Sequence, residues 1–170
     1  MIALVIVLSA VIVGIDQLIK YFVLEYLVPV GSVNVIDNLL SLVYVENRGA
    51  AFGIFQNQVW IFAVITVVMI AFFVYMLISG KIKGKLFTAA AILIIGGGIG
   101  NLIDRIFRGF VVDYLSLSFF PPVCNFADYC ITIGAVLFIV SMFISSKKNS
   151  EKTLKADSIM SDKNNGDNNG

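Results

Sequence analysis

Histidine is absent from these 170 residues. That removes the Ser-His and Cys-His nucleophile systems and the usual imidazole metal sites. Charge is scarce: only 14% of residues are Asp, Glu, Lys or Arg. The net charge is +1, so no basic excess exists to hold a nucleic acid. Cysteine is limited to Cys124 and Cys130, six positions apart. On a helix these point to different faces, so they read as small apolar side chains rather than a disulfide. What is abundant is hydrocarbon. The chain is 59% hydrophobic with a mean hydropathy of +0.94, which places it in the membrane class.

Four apolar runs are long enough to span a hydrocarbon core of roughly 30 Å, which takes about 20 helical residues. They predict helices over about 2–26, 59–79, 86–107 and 124–146. The first run lacks a basic leading segment and a small-residue cleavage site, and it carries Asp16 and Lys20. It therefore reads as a retained helix rather than a signal peptide. "GKIKGK" between the second and third runs, together with Lys147 and Lys148, votes for the cytoplasmic side and puts both termini there. The tail, 147–170, is polar and rich in Asn and Gly, and reads as a disordered cytoplasmic extension. Residues 1–146 form the membrane domain.

An outer β region is expected over about 28–58 and 109–117. "VNVIDNLLSLVYVE", 33–46, holds two β-branched stretches around "DN", the signature of a hairpin. "GFVVDYLSL", 109–117, reads as a short strand. Backbone at the membrane needs hydrogen-bond partners, and a small sheet satisfies it. Between hairpin and second helix lies "NRGAAFGIF", 47–55. Gly49 and its small neighbours permit close backbone approach there, so 47–58 is a candidate lid. The fold class expected is an all-α four-helix transmembrane bundle with a small β-sheet cradle on its outer face.

Outside the tail the acids are Asp16, Glu25, Asp37, Glu46, Asp104, Asp113 and Asp128. At about 1.5 Å of rise per residue, Asp16 lies roughly 20 Å and Asp104 roughly 27 Å from the cytoplasmic starts of their helices. Asp128 lies about 5–6 Å below the outer start of its own helix. Asp113 sits in the short connection before it. All four aspartates converge on the outer leaflet. Asp16 and Lys20 are i,i+4 and can pair. Asn101, Asp104 and Arg105 share one side of the third helix, and Asn125 and Asp128 are i,i+3. "GGGIG", 96–100, thins the third helix and admits a neighbour.

Each of these has a bland explanation. Asp16–Lys20 can be a snorkelling pair, Asp104–Arg105 a structural ion pair, and Glu25, Asp37 and Glu46 solvated loop charges. Asp128 and Asp113 differ, since neither has a basic partner within four positions beyond the surroundings of Asp104. Two carboxylates brought to one depth repel if both ionise, so one holds a proton. That is the electrostatic requirement of an aspartyl dyad, in which one carboxylate activates water and the other donates to a carbonyl oxygen. A Ser–Lys pair built on Ser116 or Ser118 with Lys20 finds no support in the spacing, and a carboxylate-only metal site is unsignalled.

The segments "DQLIK" at 16–20, "NRGAAFGIF" at 47–55, "GGGIGNLIDRIFRGFVVDYL" at 96–115 and "NFADYCITIG" at 125–134 together resemble the lipoprotein signal peptidase (signal peptidase II) family, in its order and four-helix layout. The resemblance covers nearly all of 1–146. It implies a bacterial inner-membrane aspartyl protease, multi-pass, with its active site towards the outer leaflet. The substrate implied is a diacylglyceryl-modified prolipoprotein, cleaved just before the lipid-modified cysteine. By motif the catalytic pair is Asp113 and Asp128. Asp16, Lys20, Asn47, Gly49, Asn101, Asp104, Arg105 and Asn125 form the supporting set. Asp104 competes with Asp113 for the dyad. The resemblance also implies inhibition by the cyclic lipopeptide globomycin, contact with membrane lipid, and no metal, cofactor or nucleic acid. The protein is expected to act as a monomer. A proton- or ion-coupled transporter would place its acids near mid-bilayer, often within an internal repeat, and neither is seen. A membrane scaffold is the third alternative.

Overall fold

Each of the four apolar runs becomes a helix. In the computed structural model, which describes residues 2–49, 58–80, 82 and 84–166 with side chains as far as Lys147, α1 spans Ile2–Phe22, α2 Val59–Ser79, α3 Lys85–Phe107 and α4 Phe126–Gly166. The spans Ile2–Leu27, Val59–Ser79, Lys85–Phe107 and Phe126–Lys147 are long and apolar enough to cross a bilayer. Residues 50–57, which make up most of the expected lid, and Lys81 and Lys83 of the basic loop lie outside the described residues.

The expected hairpin forms as β1 (Ser32–Ile36) and β2 (Leu40–Asn47). Asn38 turns the chain at φ 56°, a conformation that asparagine tolerates better than most residues. The expected strand in the third connection is β3 (Val111–Leu117). A further strand, β4 (Phe120–Cys124), was not anticipated. The antiparallel sheet runs β1-β2-β3-β4. It covers the end of the bundle where α1 and α3 finish and α2 and α4 begin.

Three boundaries differ from expectation, each for a local reason. The fourth helix starts at Phe126 rather than 124, because Pro121 and Pro122 hold extended backbone and cannot donate to a helix. Their place on an edge strand is where a sheet tolerates proline. α1 passes into one π-helical turn, Val23–Leu27, in which Val28 N donates to Val23 O at 3.1 Å. That turn delivers buried Val23 and Leu27 onto Val112 and Tyr114 of β3. The tail expected to be disordered continues α4 as helical backbone to Gly166. No glycine or proline occurs from 135 to 165, so neither of the two strongest helix breakers interrupts the chain there.

α3 is the central helix. Of its most apolar stretch 67% is buried, against 17–22% for the other three. Its glycines explain how neighbours come so close. A Cβ on Gly97 would stand 2.6 Å from the Ala127 carbonyl oxygen of α4. On Gly96 it would meet the Ile12 side chain of α1 at 2.8 Å, and on Gly100 the Asp16 carboxylate at 2.5 Å. Without a hydrophobic drive between helices in lipid, this contact is what holds the bundle.

Gly97→Ala should therefore push α4 away at its first turn and cost about 1–3 kcal/mol. Gly14→Ala, where nothing lies within 4 Å, should change stability by less than about 1 kcal/mol. Thermal unfolding of both variants in detergent, followed by circular dichroism, checks the contrast.

Candidate active site

A carboxylate at the mouth of a membrane helix has a first explanation in helix chemistry. The first N–H groups of α4 have no intrahelical acceptor. Asn125 Oδ1 accepts from Asp128 N at 3.0 Å, and Asp128 Oδ2 accepts from Asn125 N at 3.1 Å. This is a reciprocal capping box with Asp in the third helical position. Tyr114 Oη accepts the Phe126 N–H at 3.2 Å. The i,i+3 pair seen in the sequence is thus first of all a helix start.

The remaining atoms of that cap reach sideways. Asn125 Nδ2 donates to Asp113 Oδ1 at 2.6 Å and to Asn101 Oδ1 at 3.1 Å. Asn101 Nδ2 donates to Asp128 Oδ1 at 2.8 Å. Asn47 Nδ2 donates to Asp113 Oδ2 at 2.8 Å, and Asn47 Oδ1 accepts from Gly49 N at 3.0 Å. The register that pairs Asn47 with Val111 and Val45 with Asp113 carries Asn47 alongside Asp113. Asp113 and Asp128 are therefore joined through two asparagine amides, and neither makes an ion pair with a described cation.

Behind this lies a second cluster. Lys20 Nζ contacts Asp16 Oδ2 at 2.9 Å, Asp104 Oδ2 at 2.8 Å and Asn101 Oδ1 at 2.9 Å. Lys20, Asp16 and Asp104 are each 0% exposed. The snorkelling explanation of Asp16–Lys20 is thereby excluded. So is a Ser–Lys pair, because the ammonium is engaged by three oxygens. Asp104 Oδ2 also accepts Val112 N at 3.1 Å, and Asp104 Oδ1 takes Arg108 and Gln17.

The structure gathers Asp16, Lys20, Asn47, Gly49, Asn101, Asp104, Asp113, Asn125 and Asp128 into one connected network. Arg105 joins it differently from expectation. It donates to the Asn101 carbonyl at 3.2 Å and lies 5.9 Å from the Phe62 ring centroid. Asp104 is paired with Lys20 and Arg108, not with Arg105. Adjacent helical residues point about 100° apart, whereas residues four apart share a face. Arg108 and Gln17 were missed as network members. The i,i+4 spacing of Asp104 and Arg108 was the signal for the first, and Gln17, inside "DQLIK", gave none. Among the described residues no group of acids and cysteines is arranged to hold a metal ion, and both cysteines are free thiols.

Burial and the neighbouring Asp128 charge push the Asp113 carboxyl from 3.8 up to about 7. Between those values the folded protein holds a proton that the unfolded chain has released. Its stability therefore falls as pH rises from about 4 to about 7. The wild type should lose on the order of 2–4 kcal/mol relative to Asp113→Asn across that window. Chemical unfolding of both proteins at several pH values in detergent reads this directly. Parallel curves would refute it.

The chain matches the family model for signal peptidase (SPase) II over residues 8–144. It is 46% identical over 132 residues to a lipoprotein signal peptidase of Caldanaerobacter subterraneus subsp. tengcongensis, covering 78% of this chain and 90% of that protein. It is 45% identical over 139 residues to a lipoprotein signal peptidase of Clostridioides difficile, covering 79% and 92%. A solved bacterial membrane enzyme, determined in meso at 2.3 Å, superposes with a TM-score of 0.77 at 30% identity, covering 87% of this chain and 92% of that one. Another, at 1.9 Å, gives 0.73 at 32% identity, covering 84% and 94%.

Proposed function

The chain belongs to the signal peptidase II family, the aspartic endopeptidases that remove signal peptides from prolipoproteins, and from that premise we propose that Asp113 and Asp128 are its catalytic pair. The observation that carries this reading is the bridge: Asp113 is held by the Asn125 amide, that amide by Asn101, and Asp128 by the Asn101 amide, with no described cation in direct contact with either carboxylate. Asp104 has the opposite surroundings, with Lys20, Arg108 and a backbone N–H on its oxygens. It is a structural anion.

With one proton shared by the pair, Asp113 holds it, and Asp128 is the charged member. Asp128 takes a proton from water as the water oxygen attacks the scissile carbonyl carbon. Asp113 gives its proton to the carbonyl oxygen. The tetrahedral species then collapses. The C–N bond breaks, the proton on Asp128 passes to the departing nitrogen, and Asp113 recovers its own. Asn47 and Asn125 keep Asp113 aimed, and Asn101 does the same for Asp128. Gly49 lets the chain fold back on Asn47, and Arg105 supplies positive charge close to the pair from the α2 side.

The substrate is a diacylglyceryl-modified prolipoprotein, cut just before the lipid-bearing cysteine. Its signal helix lies in the bundle's cleft and its acyl chains lie in membrane lipid. The chain is a multi-pass membrane protein. Its place is the bacterial inner membrane, with both termini cytoplasmic and the sheet end outward, and it acts as a monomer. Globomycin is bound in the same cleft.

Cleavage of purified diacylglyceryl-prolipoprotein, read by gel shift, tests the assignment. Asp113→Asn and Asp128→Asn should each lose about 10²–10⁴-fold in rate while remaining folded. Asp104→Asn should instead lose about 3–5 kcal/mol of stability. Wild-type activity should decline above about pH 7, where Asp113 gives up its proton. Retained cleavage by Asp113→Asn would overturn the pair as assigned.

A further inference from the structure

We propose that Arg108 and Gln17 form an outer clamp that positions Asp113 through Asp104. This rests on the peptidase reading and extends it to two residues outside the supporting set.

The route is short. Asp104 Oδ2 accepts the Val112 N–H at 3.1 Å, and Val112 directly precedes Asp113 on β3. That bond closes the corner between α3 and β3. The corner itself is loose by nature: Arg108 N caps α3 on Asp104 O at 2.8 Å, and Gly109 then turns at φ +76°. A glycine in the left-handed region has wide conformational freedom. The turn does not by itself fix the direction in which β3 leaves; the Asp104 carboxylate does so together with the pairing of β3 with β2.

A carboxylate rotates about its last torsion with a broad, roughly two-fold preference, and its two oxygens are equivalent. Lys20 Nζ and the Val112 N–H share Asp104 Oδ2, and pinning Oδ1 as well fixes the torsion that aims it. Arg108 Nη1 and Gln17 Nε2 both donate to Asp104 Oδ1. Arg108 Nη1 also donates to Gln17 Oε1 at 3.1 Å, which fixes the amide so that its Nε2 faces Asp16 Oδ2, the Gly100 carbonyl and Asp104 Oδ1. Arg108 is the accessible end of this clamp, with its side chain 27% exposed, while Asp104 is 0% exposed.

Removing Arg108 leaves Asp104 paired with Lys20 at 2.8 Å, so the fold has a reason to survive and the effect can be read in turnover. The experiment compares wild type, Arg108→Gln, Arg108→Lys and Gln17→Leu on purified diacylglyceryl-prolipoprotein in detergent, with thermal unfolding in parallel. Arg108→Gln and Gln17→Leu should lower kcat by about five- to twenty-fold with KM within two-fold. Arg108→Lys, which still donates to Asp104 Oδ1, should recover at least half of the lost kcat.

A kcat within two-fold of wild type in both Arg108→Gln and Gln17→Leu would overturn the clamp. A loss that Arg108→Lys does not relieve, and that follows the fall in melting temperature, would overturn it in favour of plain structural support. Wild type failing to cut would overturn the peptidase reading instead, which keeps the two failures distinguishable.

Discussion

The ammonium of Lys20 is the point on which this structure depends. A cation enclosed in a transmembrane bundle is costly unless anions and acceptors surround it. Here it has three: Asp16 one turn back on α1, and Asp104 and Asn101 on α3. These contacts fix how α1 sits against α3. The close passage at Gly100, where a Cβ would stand 2.5 Å from Asp16, is the steric condition for the same arrangement. The ion cluster and the glycine run are two halves of one constraint.

From that cluster two arms extend to the candidate active site. One runs through Asn101, whose oxygen faces Lys20 and whose nitrogen therefore faces Asp128. An asparagine amide has a donor end and an acceptor end, and the ammonium decides which way round it lies. The other runs through Asp104 to the backbone just before Asp113. The two arms bring a residue of α4 and a residue of β3 together although β3 contains no cation and α4 none before Lys147. The α4 cap completes the arrangement, since Asn125 serves the helix with its oxygen and the site with its nitrogen.

Patterns within one element were legible in the sequence, and pairings between elements were less so. Apolar runs gave the four helices, and the β-branched stretches around Asp37 gave the hairpin. Asn125 and Asp128 announced themselves by spacing, as did Asp16 and Lys20. What depended on distant partners was hidden. Lys20 meets Asn101 across 81 positions, and no local rule says that Asp104 prefers it to neighbouring Arg105. β4 was missed because two prolines argue against a strand, and only an edge position makes them acceptable. Gln17 was passed over because an uncharged amide carries no electrostatic signal, although it contacts three oxygens at once.

The asparagines around the two carboxylates suit the proton-sharing pair proposed for them. Donors must hold both side chains still in a site where an unmet acceptor is expensive. A lysine or arginine in direct contact would do so, but it would hold its carboxylate ionised and deprive the pair of its proton. Amides donate without net charge. The cations accordingly stand one residue away: Lys20 behind Asn101, Arg105 on the Asn101 carbonyl, and Arg108 behind Asp104. Asp113 still feels Lys20, but more weakly than its own burial and the charge of Asp128, and its carboxyl rises to about 7. Moving any of these cations one contact closer would strengthen the fold's electrostatics at the expense of the shared proton. For the catalytic pair proposed here, the separation between the ion cluster and the asparagine layer is therefore a requirement of the chemistry rather than an accident of packing.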